Sequence, residues 1–148
     1  MSESLQITPA TAADLDDIRR LLDENALPIA GIDDHWRTFL VARDGGRLAG
    51  CGGAEAYHST ALIRSIAVAS DYRNQGVGRR IVRHLLDRLS ARGIREFYLL
   101  TTTAPDYFAR RGFTLIDRDE VAPEILASTE FRGACPSTAI CMRLVMLG

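Results

Sequence analysis

At 148 residues, 47% hydrophobic and 25% charged, the chain has the size and composition of a single globular domain with one sizeable core. A formal net charge of -1, with arginines spread along the sequence instead of gathered in a tail, argues against nucleic acid as the main partner. No apolar run approaches membrane-spanning length, and Met1-Ser2-Glu3-Ser4 lacks the basic and apolar regions of a secretory signal, so no membrane association is expected and a cytoplasmic location is.

Leu5 to Thr8 reads as a short first strand. Thr11 stands as an N-cap with Asp14 in the first turn, and Leu15, Ile18, Leu21 and Leu22 recur at helical spacing opposite Asp16, Asp17, Arg19, Arg20 and Asp23. Leu27-Pro28 should end that helix. Ile29 to Arg37 reads as a short helix or loop over the domain, with His35 a surface residue, since no second His or Cys stands nearby at metal spacing. No metal site is expected. Thr38 to Arg43 and Arg47 to Tyr57 form a hairpin around Asp44-Gly45-Gly46. Gly50, Gly52 and Gly53 strip the second strand of volume, which predicts that another backbone or a ligand comes close there. Ala61 to Val68 is a third strand, apolar except for Arg64 and Ser65, and completes an antiparallel meander.

Arg73-Asn74-Gln75-Gly76-Val77-Gly78 comes at once after it. Its glycines remove side chains where the backbone passes close to something, and a helix opening at Gly76 leaves its first amides free to bind an anion, most simply a phosphate. The helix runs to about Ser90 with Val77, Ile81, Val82, Leu85, Leu86 and Leu89 inward, and Gly93 caps it. Arg95 to Thr102 is a strand parallel to its predecessor across the helix, which makes a right-handed crossover. Pro105 opens a short helix, Asp106 to Arg111, that stops at Gly112; Phe113 to Asp117 is a strand, Pro123 to Ser128 a helical turn or two, and Ala139 to Leu147 the last strand. This is an α/β (α+β) pattern, expected to form one domain over residues 1–148.

Arg73-Asn74-Gln75-Gly76-Val77-Gly78 after Ile66-Ala67-Val68, with Tyr107-Phe108-Ala109-Arg110-Arg111-Gly112-Phe113 downstream, resembles the GNAT superfamily of N-acetyltransferases. The resemblance implies a mixed, mostly antiparallel central sheet with a splayed parallel strand pair, flanked by helices, and acetyl-coenzyme A as cosubstrate. By the same resemblance, Arg73, Asn74, Gln75, Gly76, Val77, Gly78 and Arg79 form the pyrophosphate turn, while Ile66, Ala67 and Val68 offer backbone to the pantetheine arm. Tyr98 to Ala104, Cys135 to Met142, Leu27-Pro28 and Leu62 to Ser65 are similar to the arsenic-resistance branch. That implies a small amine or amino-acid acceptor, an organoarsenical or a phosphinothricin-like glutamate mimic. Phe108 lies in the cofactor site at the slot where the superfamily often has a tyrosine to protonate the departing thiolate, which leaves Tyr107 as at most a partial substitute.

Glu55 and Arg64 would face each other if the intervening turn is centred on Ser59-Thr60, either as a structural ion pair or as a base and a carboxylate-binding fork for the acceptor. Ser65, Thr101 and Thr102, with Thr103 beside them, are candidates to line the acceptor end. Cys51, Cys135 and Cys141, odd in number and unevenly spaced, read as reduced and buried. A regulatory acetyl-coenzyme A binder without turnover and a thiol-based arsenical binder are the competing classes. The sequence leaves open whether the chain forms a homodimer.

Overall fold

The computed structural model describes residues 5–102, 104–128, 131 and 139–146. Seven strands, β1 (Leu5–Pro9), β2 (Leu40–Asp44), β3 (Arg47–Tyr57), β4 (Thr60–Val68), β5 (Glu96–Thr101), β6 (Thr114–Leu115) and β7 (Ile140–Val145), form one sheet in the order β1-β2-β3-β4-β5-β7-β6. β1 to β4 are antiparallel neighbours, β4 and β5 are parallel, and β7 runs antiparallel to both β5 and β6. This is the expected mixed sheet with one parallel pair.

The helices cover both faces. α1 (Leu15–Glu24) and α2 (Ile32–His35) lie on one face, where Ile18, Leu21, Leu22 and Ile32 pack with Phe39, Val41, Cys51 and Ala67. α3 (Val77–Ser90) covers the other, and Val82, Leu85 and Leu89 meet Ala61, Ile63, Phe97 and Leu99. Strand alternation sorts the side chains: Ile63 and Leu99 face α3, while Leu62 and Tyr98 point the opposite way, towards α5 (Pro123–Leu126) and its Ile125. α4 (Pro105–Ala109) buries Phe108 at the edge of the α3 core.

Several boundaries differ from the sequence reading for local reasons. α1 ends at Glu24, ahead of Leu27-Pro28, because Asn25 turns its side-chain amide back onto the Leu21 carbonyl and Ala26 enters the left-handed region at φ +56°. β2 begins at Leu40 because Trp36–Thr38 is a 3-10 turn. β6 has only two residues. The β3–β4 turn is centred on His58-Ser59, with Tyr57 opposite Thr60, so Glu55 stands opposite Leu62 and Arg64 opposite Gly53. The glycines of β3 make room chiefly for side chains. A Cβ at Gly52 would lie 2.7 Å from Ile81 Cγ2, and one at Gly53 would overlap the Phe39 ring. Of the three, Gly50 alone would also meet backbone, the Ala67 carbonyl at 3.0 Å.

Candidate functional site

The site originates in β4. Between Cys51 and Gly53 of β3 the register slips, so that Ser65 and Ile66 stand against Gly52 alone, and Ser65 takes φ +64°. A bulge of this kind bends the strand and re-aims the residues beyond it. β4 pairs with β5 only over Thr60–Leu62 and Glu96–Tyr98, whereas β5 keeps its bonds to β7 as far as Thr101 opposite Ile140. Beyond Leu62 the parallel pair therefore splays. The Ala69 amide donates to Ala49, so by alternation the N–H and C=O of Ile66 and Val68 face away from β3 and into the splay. The resulting cleft measures about 760 Å³.

At one end of the cleft lies the opening of α3. Asn74 at φ +65° and Gly76 at φ +80° turn the chain sharply, and nothing lies within 4 Å of where a Gly76 side chain would begin; its glycine serves the backbone conformation. Gly78 serves a close approach, since a Cβ there would sit 3.1 Å from the Tyr107 hydroxyl. The first bond of the helix runs from the Arg80 amide to the Gly76 carbonyl at 3.1 Å, which leaves the amides of Val77, Gly78 and Arg79 without partners inside the helix. Those donors and the positive helix end suit an anion. Gln75 braces the turn by donating to the Asp71 carbonyl at 3.1 Å. Arg73 donates to the Val68 carbonyl and, at 2.9 Å, to Asn25 Oδ1, tying the turn to β4 and to the end of α1.

Tyr107 and Phe108 both line the cleft. The Phe108 ring is buried against Phe113 and Tyr107. Tyr107 carries the Arg111 guanidinium over its ring at 4.5 Å, and its buried hydroxyl has no hydrogen-bond partner among the described residues. Thr101 and Thr102 also line the cleft, but the Thr101 hydroxyl already accepts the Ala104 amide at 3.1 Å and so shapes the entry to α4. Thr103 and Cys135 fall outside the described residues.

Glu55 and Arg64 meet although the predicted register is wrong, because their diagonal placement lets the long arginine reach across. Nη1 donates to Glu55 Oε2 at 2.9 Å, and both side chains have zero exposure. The other guanidinium nitrogens are engaged as well, Nε with Ser65 Oγ at 3.0 Å and Nη2 with the Pro28 carbonyl at 3.2 Å. Glu55 Oε1 accepts the Tyr57 hydroxyl at 2.8 Å, and His35 Nε2 stands 3.5 Å from the same oxygen. Burial, and after it that bond to a carboxylate, pushes the Tyr57 phenol up. His35 is thus half-buried against a carboxylate and not a simple surface residue; it sits in α2 and Glu55 on β3, where no sequence spacing could reveal the contact. Glu55 is not among the residues that border the cleft. Burial pushes the Cys51 thiol up to about 12 and the Cys141 thiol up to about 11, which keeps both protonated and unreactive at neutral pH.

A model of the acetyltransferase (GNAT) family matches residues 6–113. An uncharacterized N-acetyltransferase of Chlorobaculum tepidum is 31% identical over 121 residues, 80% of this chain and 75% of that protein. An amino-acid acetyltransferase of Neisseria meningitidis is 27% identical over 92 residues, 61% of this chain but only 21% of that protein, so the chain matches about a fifth of such relatives. Among solved structures, N-acetylglutamate synthase from Neisseria gonorrhoeae complexed with coenzyme A and N-acetyl-glutamate superposes with a TM-score of 0.84 at 22% identity, over 97% of this chain and 35% of that one. Rv2747 from Mycobacterium tuberculosis, in complex with CoA and NLQ, does so with a TM-score of 0.81 at 24% identity, over 96% and 99%.

Proposed function

We propose, because the chain belongs to the GNAT family of acetyltransferases, that it transfers an acetyl group from acetyl-coenzyme A to the amino group of a small amino-acid acceptor. The observation that carries this reading is the splayed β4–β5 cleft opening directly onto the unpartnered amides of α3. On this reading Asn74, Gly76, Val77, Gly78 and Arg79 hold the pyrophosphate, Arg73 and Gln75 brace the turn, and the pantetheine arm adds as a strand along Ile66, Ala67 and Val68. Residues 1–148 act as one acetyltransferase domain.

The acceptor occupies the other end of the cleft, bordered by Leu27, Pro28, Arg64, Ser65, Thr101 and Thr102. The neutral amine attacks the thioester carbonyl, the carbon–sulfur bond breaks, and coenzyme A leaves as the thiolate. The amine proton passes to solvent, because the carboxylate of Glu55 is spent on Tyr57 and Arg64. Phe108 has no proton to give. Within the amino-acid class we favour glutamate and its close mimics, organoarsenical and phosphinothricin-like. The resemblance of Tyr98 to Ala104 to the arsenic-resistance branch supports that choice, while the amino-acid acetyltransferase relatives support the amino-acid class.

Release of coenzyme A thiol, monitored across a panel of α-amino acids and simple amines, tests the proposal. Thiol release that depends on an α-amino acid supports it; simple amines serving as well as amino acids would sink the acceptor claim. Phe108 favours a second reading, an acetyl-coenzyme A binder with little turnover, which predicts calorimetric binding without thiol release. A thiol-based arsenical binder has less support, since Cys141 is buried and protonated.

A further inference from the structure

We propose that Arg64 is a positioning residue that sets the shape of the acceptor end by clamping the loop between α1 and α2 onto the sheet. This rests on the acetyltransferase reading of the cleft. Ala26, Leu27 and Pro28 form one wall of the cleft, yet they belong to a connection between a helix that ends early and a four-residue helix, with little regular structure to hold them. The guanidinium supplies the missing anchor. Its Nη2 donates to the Pro28 carbonyl at 3.2 Å, while Glu55 at 2.9 Å and Ser65 Oγ at 3.0 Å fix the plane of the group. Glu55 is held in turn by the Tyr57 hydroxyl at 2.8 Å, and His35 of α2, at the far side of the same loop, approaches the same carboxylate to 3.5 Å. Four segments of chain, the loop, α2, β3 and β4, converge on one buried ion pair.

Direct recognition of an acceptor carboxylate by Arg64 fits this geometry poorly. The side chain has zero exposure, and each of its three nitrogens already serves a protein oxygen. The position of Ser65 has the same logic, because its left-handed backbone at the bulge accompanies a hydroxyl that accepts from Nε and so fixes the guanidinium. What Arg64 controls is therefore the width of the acceptor end and not its charge.

The test must separate the clamp from general stability. A lone Arg64→Ala would strand a buried carboxylate and unfold the chain for trivial reasons, whereas a buried ion pair exchanged as a whole for apolar side chains of similar volume is tolerated. The informative protein is thus the double variant Glu55→Leu/Arg64→Met, beside Arg64→Lys, whose single ammonium cannot reproduce the three-way fork. The double variant leaves the Tyr57 and Ser65 hydroxyls without these partners, so its unfolding temperature should fall modestly while unfolding stays cooperative, and its Michaelis constant for acetyl-coenzyme A should stay within about twofold of the parent. The Michaelis constant for the best amino acid should rise by roughly tenfold or more, with relative kcat/KM shifted towards bulkier amino acids. Hydrogen exchange read on the same proteins should speed up at Leu27 to Ile32 more than anywhere else. Unchanged exchange in that loop overturns the clamp, and so does an unchanged preference among amino acids. If the parent acetylates no amino acid at all, the function proposal fails alone, and the exchange result still decides the clamp.

Discussion

Tyr107 and Phe108 show how much one position matters. The pair places the phenol where its hydroxyl packs on Gly78, and the phenyl ring in the core. A buried hydroxyl without a partner costs about 1–3 kcal/mol, so Tyr107→Phe should leave the protein as stable or raise its melting temperature. Turnover should fall by less than ~10-fold, against the ~100-fold or more expected of a lost general acid. A larger drop in kcat with an unchanged pH profile for binding would make Tyr107 the missing proton donor. The cysteines yield a second prediction at this scale. Because burial raises both thiols, Cys51 and Cys141 remain protonated below their raised values, and a thiol reagent applied to the native protein at about pH 8 should leave both unmodified. Rapid labelling of either would show that the site opens. The sequence allowed the core reading of these residues, but it concealed His35, which meets Glu55 only through the fold of α2 over β3, whereas Tyr57 reaches the same carboxylate from two residues along one strand.

Most elements were legible in the sequence because hydrophobic period and turn chemistry agreed, as in α3, where an inward stripe, Gly76 and Gly93 all mark the same helix. The meander and the parallel crossover rest on the same signals. Tertiary competition decided the rest. Ser65 reads as an ordinary strand residue, and no local pattern announces that it will enter the left-handed region and bulge β4. The β3–β4 turn sits one residue earlier than expected because Tyr57-His58-Ser59-Thr60 contains no glycine to fix it, and His58 adopts φ +49° instead. The β3 glycines suggest another backbone or a ligand in the sequence; the Ala67 carbonyl does come close to Gly50, and the rest of the volume they vacate is taken by Phe39, Ile66 and Ile81. Gly53→Ala should accordingly destabilise by ~1–3 kcal/mol or more through overpacking against Phe39, while Phe39→Leu in the same chain should restore part of the loss. Thermal melts of the three proteins decide it, and a Gly53→Ala variant as stable as the parent would show that the ring has room to move.

At the scale of the whole molecule, function derives from one deformation. A bulge bends β4 away from β5, the gap becomes a cleft, and the crossover helix opens into that cleft with its amides uncommitted. The α3 end of the cleft, where we propose the cofactor sits, was readable as a turn because its glycine spacing is local. The acceptor end was not, since its walls come from Pro28, Ser65 and Thr101, which lie far apart in the chain, and the acceptor choice drew on resemblance for its detail. If solvent takes the amine proton, turnover should climb steadily with pH towards the range where the acceptor amine is neutral, and Glu55→Gln should not change the shape of that profile. A profile whose lower limb moved with Glu55→Gln would restore the carboxylate as base. Acetyl transfer itself is measured by incubating acetyl-coenzyme A carrying a labelled acetyl group with glutamate and its mimics, with the parent protein and with Gly76→Glu, whose side chain meets no protein atom where it begins but strains the left-handed turn and brings negative charge to it. One labelled N-acetyl amino acid is expected for each thiol released by the parent, and neither product from a folded Gly76→Glu. Thiol release without an acetylated amine, or full activity in Gly76→Glu, would contradict that expectation.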